Sequence, residues 1–235
     1  MRLNISKFKN NLSVIVLCGG KGQRLRPLTQ KTPKPLIKIG KKTILEHIIN
    51  RLIKFNLKNI LVVTGYKNKL IKNFVNKKFK NNNIKIYNTG VQTNILNRIK
   101  KILGHTNKYV LLCYGDTLID VNINKLIKFY ANNKLKLIMT SYQLKSDFGI
   151  LNIDKDNNIV KFKEKPTLDI WFNVGYFLFS NKYFKLIKRF NKFENFLTFL
   201  VNKKKIKTFK HKGKHITVNT ISQLEDAKVQ IKKFF

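Results

Sequence analysis

The chain of 235 residues carries 49 lysines and arginines against 11 acidic residues, a formal charge of +38, with 43% hydrophobic content. That length suits one α/β domain with a sizeable core, two cysteines are too few for a disulfide framework and suit a reducing cytosol, and no run approaches the ~18 apolar residues of a membrane span. The first residues lack the apolar centre of a signal peptide, so a soluble, cytoplasmic protein is expected, with no membrane partner.

The lysines are spread along the whole chain among Asn, Ile and Phe instead of forming a block or one helical face. The charge therefore reads as a residue-usage bias, and nucleic acid is not the expected partner. The four histidines form no metal set, since His211 and His215 flank a turn at Lys212-Gly213-Lys214.

In chain order, Ser13-Val14-Ile15-Val16-Leu17 is a continuous apolar run of the kind that fills a buried parallel strand. It runs into Cys18-Gly19-Gly20-Lys21-Gly22-Gln23-Arg24-Leu25-Arg26. Glycines there let backbone N–H groups approach an anion closely, and arginine suits forked contacts with phosphate oxygens. The spacing matches neither G-x-x-x-x-G-K-[ST] nor G-x-G-x-x-G. Lys34, between Pro33 and Pro35, is expected in an extended segment that aims its ammonium at low ordering cost.

Thr43-Ile44-Leu45-Glu46 has capping-box form and opens a helix over 43–55. Strands are expected at 60–63, 84–87 and 109–113, with helices at 70–74 and 95–103 between them. This alternation predicts right-handed βαβ crossovers and a Rossmann-like, doubly wound, mixed but mostly parallel sheet with helices on both faces. Ligands bind beyond the carboxyl ends of such strands, which puts the glycine loop and Asp116 on one edge. The second half reads as a helix at 123–130, a strand at 135–142 and a hairpin of 149–153 with 159–163. An aromatic strand follows at 172–179, then helices at 181–190 and 194–201, strands at 206–209 and 215–218, and a closing helix from Ser222. One domain over 1–235 is expected, with an N-terminal half at about 10–120 and a C-terminal half at about 121–235.

The glycine loop with Arg24, Pro33-Lys34-Pro35, Tyr114-Gly115-Asp116, Phe148-Gly149, Glu164-Lys165-Pro166 and Asn173-Val174-Gly175 together resemble the sugar-1-phosphate nucleotidyltransferases, in order and spacing over nearly the whole chain. Within them the glucose-1-phosphate cytidylyltransferases look most similar, through Glu46-His47-Ile48-Ile49, Thr64-Gly65-Tyr66-Lys67, Asn88-Thr89-Gly90 and Trp171-Phe172-Asn173. The resemblance implies transfer of a nucleoside monophosphate, CMP from CTP, to a sugar 1-phosphate such as glucose 1-phosphate, with release of pyrophosphate, in nucleotide-sugar and polysaccharide biosynthesis. A guanylyl- or uridylyltransferase acting on mannose or heptose 1-phosphate is the alternative.

By this resemblance Arg24, Lys34, Asp116 and Lys165 are the catalytic residues. Leu17, Gly19, Gly20, Gly22, Arg24, Lys34, Thr93 and Gly115 would bind the nucleotide, while Gly149, Glu164, Lys165, Asn173 and Gly175 would bind the sugar phosphate. Mg²⁺ is the implied cofactor, held by Asp116 and Asn219, and relatives commonly assemble into homo-oligomers. Three positions depart from the family pattern: Val218-Asn219-Thr220 has an amide where a second metal-binding Asp is expected, Ile95-Leu96-Asn97-Arg98 lacks two glycines, and Cys18 replaces a usual Ala. A non-catalytic sugar-nucleotide-binding or regulatory homologue and a basic nucleic-acid-binding protein are the readings from other classes.

Overall fold

The computed structural model describes residues 3–134 and 136–234. A short helix α1 (Ile5–Asn10) precedes the central strand β1 (Leu12–Cys18), and a helical turn α2 (Leu28–Lys31) and a hairpin of β2 (Lys38–Ile39) and β3 (Lys42–Thr43) lead to helix α3 (Ile44–Lys54). Next come β4 (Asn59–Thr64), α4 (Asn68–Lys78), β5 (Ile84–Asn88), α5 (Ile95–Ile102), β6 (Tyr109–Tyr114), a three-residue strand β7 (Thr117–Ile119) and α6 (Ile123–Asn132). The remainder is β8 (Leu137–Lys145), β9 (Ile150–Ile153), β10 (Ile159–Lys163), β11 (Thr167–Ser180), α7 (Phe184–Lys188), α8 (Phe193–Asn202), β12 (Ile206–His211), β13 (His215–Thr217) and α9 (Ile221–Gln230).

Seven strands form one sheet in the order β12-β8-β11-β6-β1-β4-β5. β11 is its antiparallel member, paired against β6 on one side and β8 on the other, while β1, β4, β5 and β6 are mutually parallel and β12 runs parallel to β8. The expected mixed, mostly parallel sheet is present, and because β11 bonds to β6 it passes through both halves of the chain.

The apolar run of β1 is buried on both faces: Val14 and Val16 pack with Ile44, Leu45, Ile48 and Ile49 of α3, whereas Ile15 packs with Leu96 and Ile99 of α5 and Phe196 of α8. A strand covered by helices on both sides needs apolar side chains at odd and even positions alike, which is why alternation is missing there. At α3 the Thr43 hydroxyl accepts the Glu46 N–H at 3.1 Å, as the capping box predicts, and the Glu46 carboxylate pairs with Lys78 at 3.2 Å.

Four expectations need correction. Lys34–Leu36 is one turn of 3-10 helix following an extended Pro33, because the fixed φ of Pro35 also suits a tight helical turn. The 181–190 helix is split into a 3-10 turn at 181–183 and α7, and the aromatic strand is longer than expected, starting at Thr167. The predicted strand at 135–142 is found from Leu137; Leu135 lies outside the described residues. The short elements α1, α2, β2, β3 and β7 escaped the sequence reading.

Candidate active site

The carboxyl ends of β1 and β6 and the loop after β5 open onto a cavity of about 800 Å³. Its wall combines the glycine loop 17–25, Lys34 and Pro35, residues 91–95 with Arg98, the turn Tyr114-Gly115-Asp116, Lys192-Phe193-Glu194 and Asn219. Five cationic side chains, those of Lys21, Arg24, Lys34, Arg98 and Lys192, share this wall with two carboxylates, Asp116 and Glu194. A cavity of that sign attracts polyanions.

The three loop glycines differ in what holds them. Gly22 sits at φ +63°, and a Cβ there would press on Thr29 and Lys34. A Cβ on Gly19 would run into the guanidinium of Arg98. At Gly20 no protein atom lies within 4 Å of the place a Cβ would take, so nothing in the fold asks for glycine. The open side of Gly20 leaves backbone free for a ligand to approach.

Arg98, on α5, is the strap beneath this loop. It is 5% exposed and donates to the carbonyls of Gly19 (3.0 Å), Thr64 (3.0 Å) and Val91 (3.3 Å) and to the Thr89 hydroxyl at 2.7 Å. One planar fork thus ties the glycine loop, the end of β4 and the loop after β5 together. Burial pulls its guanidinium below the ordinary range, and no carboxylate compensates it among these partners.

The charged centre is assembled by the β7–β13 ribbon. Thr117 pairs with Thr217 and Ile119 with His215 in antiparallel register, so Asp116, just before β7, and Asn219, just after β13, emerge at the same end. Lys34 reaches between them from the 3-10 turn: its Nζ donates to Asp116 Oδ2 at 2.7 Å and to Asn219 Oδ1 at 3.0 Å. Arg24 Nη2 donates to the same Asn219 oxygen at 3.0 Å. The amide is oriented by its own donation to Thr217 Oγ1 at 3.1 Å. Lys34 is nearly buried, with 10% of its side chain exposed against 36% for Asp116, which makes the pair stronger than a surface ion pair.

Gly115 is held by packing, since a Cβ would meet Cys18 Sγ and the Leu17 carbonyl, both at 2.5 Å. Burial, with Asp116 nearby, pushes the Cys18 thiol far up, so Cys18 is no nucleophile. Tyr114 is pushed up to about 12, chiefly by burial, with Asp116 and Glu194 adding to the rise and a hydrogen bond from Asn173 opposing it.

All the residues expected to bind nucleotide, Leu17, Gly19, Gly20, Gly22, Arg24, Lys34, Thr93 and Gly115, line the cavity, as do Asp116 and Asn219. The Thr93 hydroxyl is already committed to the Thr89 carbonyl at 2.6 Å. Gly149, Glu164, Lys165, Asn173 and Gly175 are not part of the wall. Asn173 and Gly175 stand behind it, in contact with Tyr114, and Gly149 lies against Phe162 and Glu164 in the β9–β10 arm. Lys165 holds a left-handed φ of 43° just beyond β10. Sequence reasoning missed Lys21, Gln92, Tyr114, Lys192, Glu194 and the strap role of Arg98. For Arg98 a signal existed, an arginine among the apolar positions Leu96, Ile99 and Ile102 of α5.

A family model described as "Nucleotidyl transferase" matches residues 13–217. The chain is 30% identical over 202 residues to the "Probable glucose-1-phosphate cytidylyltransferase" of Bacillus subtilis, covering 76% of this chain and 78% of that one. It is 33% identical over 185 residues to the "Bifunctional protein GlmU" of Methanococcus aeolicus, where the match takes in 75% of this chain and 42% of the relative, so it spans about two fifths of that protein's length. A third relative, the D-glycero-alpha-D-manno-heptose 1-phosphate guanylyltransferase of Campylobacter jejuni, is 29% identical over 66% of this chain and 69% of its own. A crystal structure of a Bacillus anthracis protein, provisionally named a glucose-1-phosphate thymidylyltransferase and solved with a sucrose, superposes with a TM-score of 0.77 over 95% of this chain and 96% of that one, at 18% identity. The cavity at the strand ends, the sheet order and these matches together place the chain in the nucleotidyl transferase family.

Proposed function

We propose that the protein transfers a nucleoside monophosphate, CMP from CTP, onto a sugar 1-phosphate such as glucose 1-phosphate, releasing pyrophosphate. The observation that carries this reading is the position of Lys34, whose buried ammonium lies between Asp116 and Asn219 at the mouth of the glycine loop. In the reaction an oxygen of the sugar phosphate forms a bond to the α-phosphorus while the bond from that phosphorus to the bridging oxygen of the β-phosphate breaks, and the electron pair leaves with pyrophosphate. Negative charge must be gathered first and then dispersed toward the leaving group, so fixed cations and N–H dipoles do most of the work.

The open backbone at Gly20 and the Arg24 guanidinium suit the β- and γ-phosphates, with Lys34 at the α-phosphate. Arg24 and Lys34 share one acceptor, Asn219 Oδ1, which fixes their separation before substrate enters. Lys165, Glu164 and Gly149 belong to the β9–β10 arm and its end, and under this proposal they meet the sugar phosphate and its hydroxyls from outside the cavity, with Asn173 and Gly175 supporting Tyr114. Gln92, on the loop after β5, supplies polar groups to the wall where a base would lie.

The donor set fits Mg²⁺ carried in on a triphosphate. Asp116 offers Oδ1, engaged by the Thr117 hydroxyl at a long 3.3 Å, while the Asn219 amide oxygen at the same end already accepts from Lys34 and Arg24 and would reach the ion once one of those cations turns to phosphate. Mg²⁺ is commonly held by one or two carboxylates together with substrate phosphates, so a site with Asp116 as its single carboxylate suffices. When bound there, the ion would neutralise phosphate charge.

Similarity to both a cytidylyltransferase and a guanylyltransferase gives the second reading, a guanylyl- or uridylyltransferase acting on mannose or heptose 1-phosphate. Assembly of a sugar nucleotide for polysaccharide synthesis follows from either. Pyrophosphate release measured with all four nucleoside triphosphates against a panel of hexose and heptose 1-phosphates tests the proposal. The expected result is turnover confined to one nucleotide, CTP; a protein inert with every pair would overturn it.

A further inference from the structure

The ribbon that brings Asp116 and Asn219 together is only three residue pairs long, Thr117 with Thr217, Leu118 with Ile216 and Ile119 with His215. Neither strand joins the seven-stranded sheet, and an isolated two-stranded ribbon is marginal on its own. The two strands come from distant parts of the chain, so no hairpin turn fixes their register. Something else must hold it.

Asp120, the residue after β7, closes the end of the ribbon away from the cavity. Its Oδ1 accepts the Lys214 N–H at 2.6 Å and lies 2.9 Å from Nε2 of the buried His211, and its own N–H donates to the Lys214 carbonyl at 3.2 Å. Lys214 directly precedes β13, so the two residues continue the antiparallel register with a side-chain carboxylate added to the backbone contact. The turn is built around that carboxylate: a Cβ at Gly213 would run into Asp120 Oδ1 and the His211 ring. On the other side, Arg51 of α3 donates to the carbonyl of Val121, the next residue, at 2.9 Å, which anchors this point to the body of the fold.

Register matters at the opposite end because of what stands there. Asn219 presents a neutral amide oxygen with no net charge to draw a cation toward it, so its place must be set in advance. A slip of the ribbon would separate the two oxygens that Lys34 now joins at 2.7 and 3.0 Å. We infer that Asp120 is a positioning residue for the site: by pinning the 211–214 turn to the end of β7 it fixes the register of the ribbon and with it the spacing of Asp116 and Asn219. It does not line the cavity and acts only through those two residues. Its effect on turnover rests on the transferase reading, whereas the pinning does not.

Amide hydrogen exchange of the substrate-free full chain, read beside steady-state kinetics, tests this in Asp120→Ala, Asp120→Asn and, as a control for the lost charge, Asp226→Ala at an exposed position of α9. In Asp120→Ala the amides of β7 and β13 should exchange about tenfold faster while those of β1 and β6 keep the parent rate. Its kcat should fall about tenfold and the Mg²⁺ concentration for half-maximal turnover should rise several-fold, with KM for the sugar 1-phosphate within about twofold of the parent. Asp120→Asn keeps an oxygen for the Lys214 N–H and should recover most of both losses, and Asp226→Ala should match the parent. Parent-like exchange in β7 and β13 of Asp120→Ala, or a loosened ribbon with parent-like kcat and metal dependence, would overturn the inference, as would an Asp120→Asn no better than Asp120→Ala. A parent chain inert with every nucleotide defeats the transferase reading instead, and the exchange rates still decide the pinning.

Discussion

Lys34 and Asp116, 82 residues apart in the chain, are joined by a hydrogen-bonded ion pair of 2.7 Å at the mouth of the glycine loop. The contact depends on three separate local decisions: a 3-10 turn after Pro33, the end of β6, and the β7–β13 ribbon that turns Asp116 toward Asn219.

If that ammonium serves the α-phosphate, Lys34→Ala should lower kcat by about 10²–10³-fold, the size found when one preorganised charge donor is removed. Asp116 keeps part of its solvation, so the cost in folding stability should stay near 1 kcal/mol. Steady-state kinetics and a urea titration on the same preparation separate the two effects.

Gly19 and Gly20 should part company on substitution. Gly20→Ala meets no protein atom, so its urea midpoint should match the parent within about 0.5 kcal/mol while its affinity for nucleoside triphosphate falls roughly tenfold. Gly19→Ala must displace Arg98 and is expected to cost about 2 kcal/mol of stability. Isothermal titration of both variants with nucleotide, beside their denaturation curves, provides the check.

Asn219→Asp places a carboxylate where one amide oxygen now serves both Lys34 and Arg24. Two acidic oxygens side by side hold Mg²⁺ more tightly than one, so the metal concentration for half-maximal turnover should drop several-fold. The same charge neutralises the two cations, and affinity for metal-free nucleotide should fall. Titrations with and without EDTA read these opposite movements.

His215 gives stability a pH dependence at the ribbon itself. Burial, with His211 adding to it, pushes His215 down to about 4 from an ordinary 6.5. The unfolded chain therefore binds the proton first as pH falls, and stability present above about 6.5 is lost as the pH drops toward 4, by an amount on the order of 2 kcal/mol. His215→Phe, set among Tyr142 and Phe172 at 5.1 and 5.4 Å, should flatten that loss in urea midpoints measured at pH 7 and pH 4.5.

The parallel half of the fold was legible because buried runs such as Val14-Ile15-Val16 and helices such as α3 carry long, unmixed patterns. β7 was not, since three residues carry no periodicity, and with it went the reason that Asp116 and Asn219 converge. Lys34 was identified from its flanking prolines, although its local geometry was misjudged: two prolines admit a 3-10 turn as readily as an extended segment. The cavity residues contributed by Lys192 and Glu194 arrive from the turn before α8 and its first residues, whose approach to the glycine loop is a product of packing and has no local trace. The expected sugar-phosphate residues on the β9–β10 arm were placed by resemblance alone, and the structure keeps them out of the cavity wall.

The most direct test follows phosphorus. A ³¹P NMR time course of CTP, glucose 1-phosphate and Mg²⁺ with the protein should show the α-phosphorus signal of CTP converting to a sugar-nucleotide diphosphate as pyrophosphate appears in equal amount, with no conversion on that timescale by Lys34→Ala. Pyrophosphate and sugar nucleotide formed at the parent rate by Lys34→Ala, or no conversion of any nucleoside triphosphate by the parent chain, would contradict a transferase centred on Lys34 and Asp116.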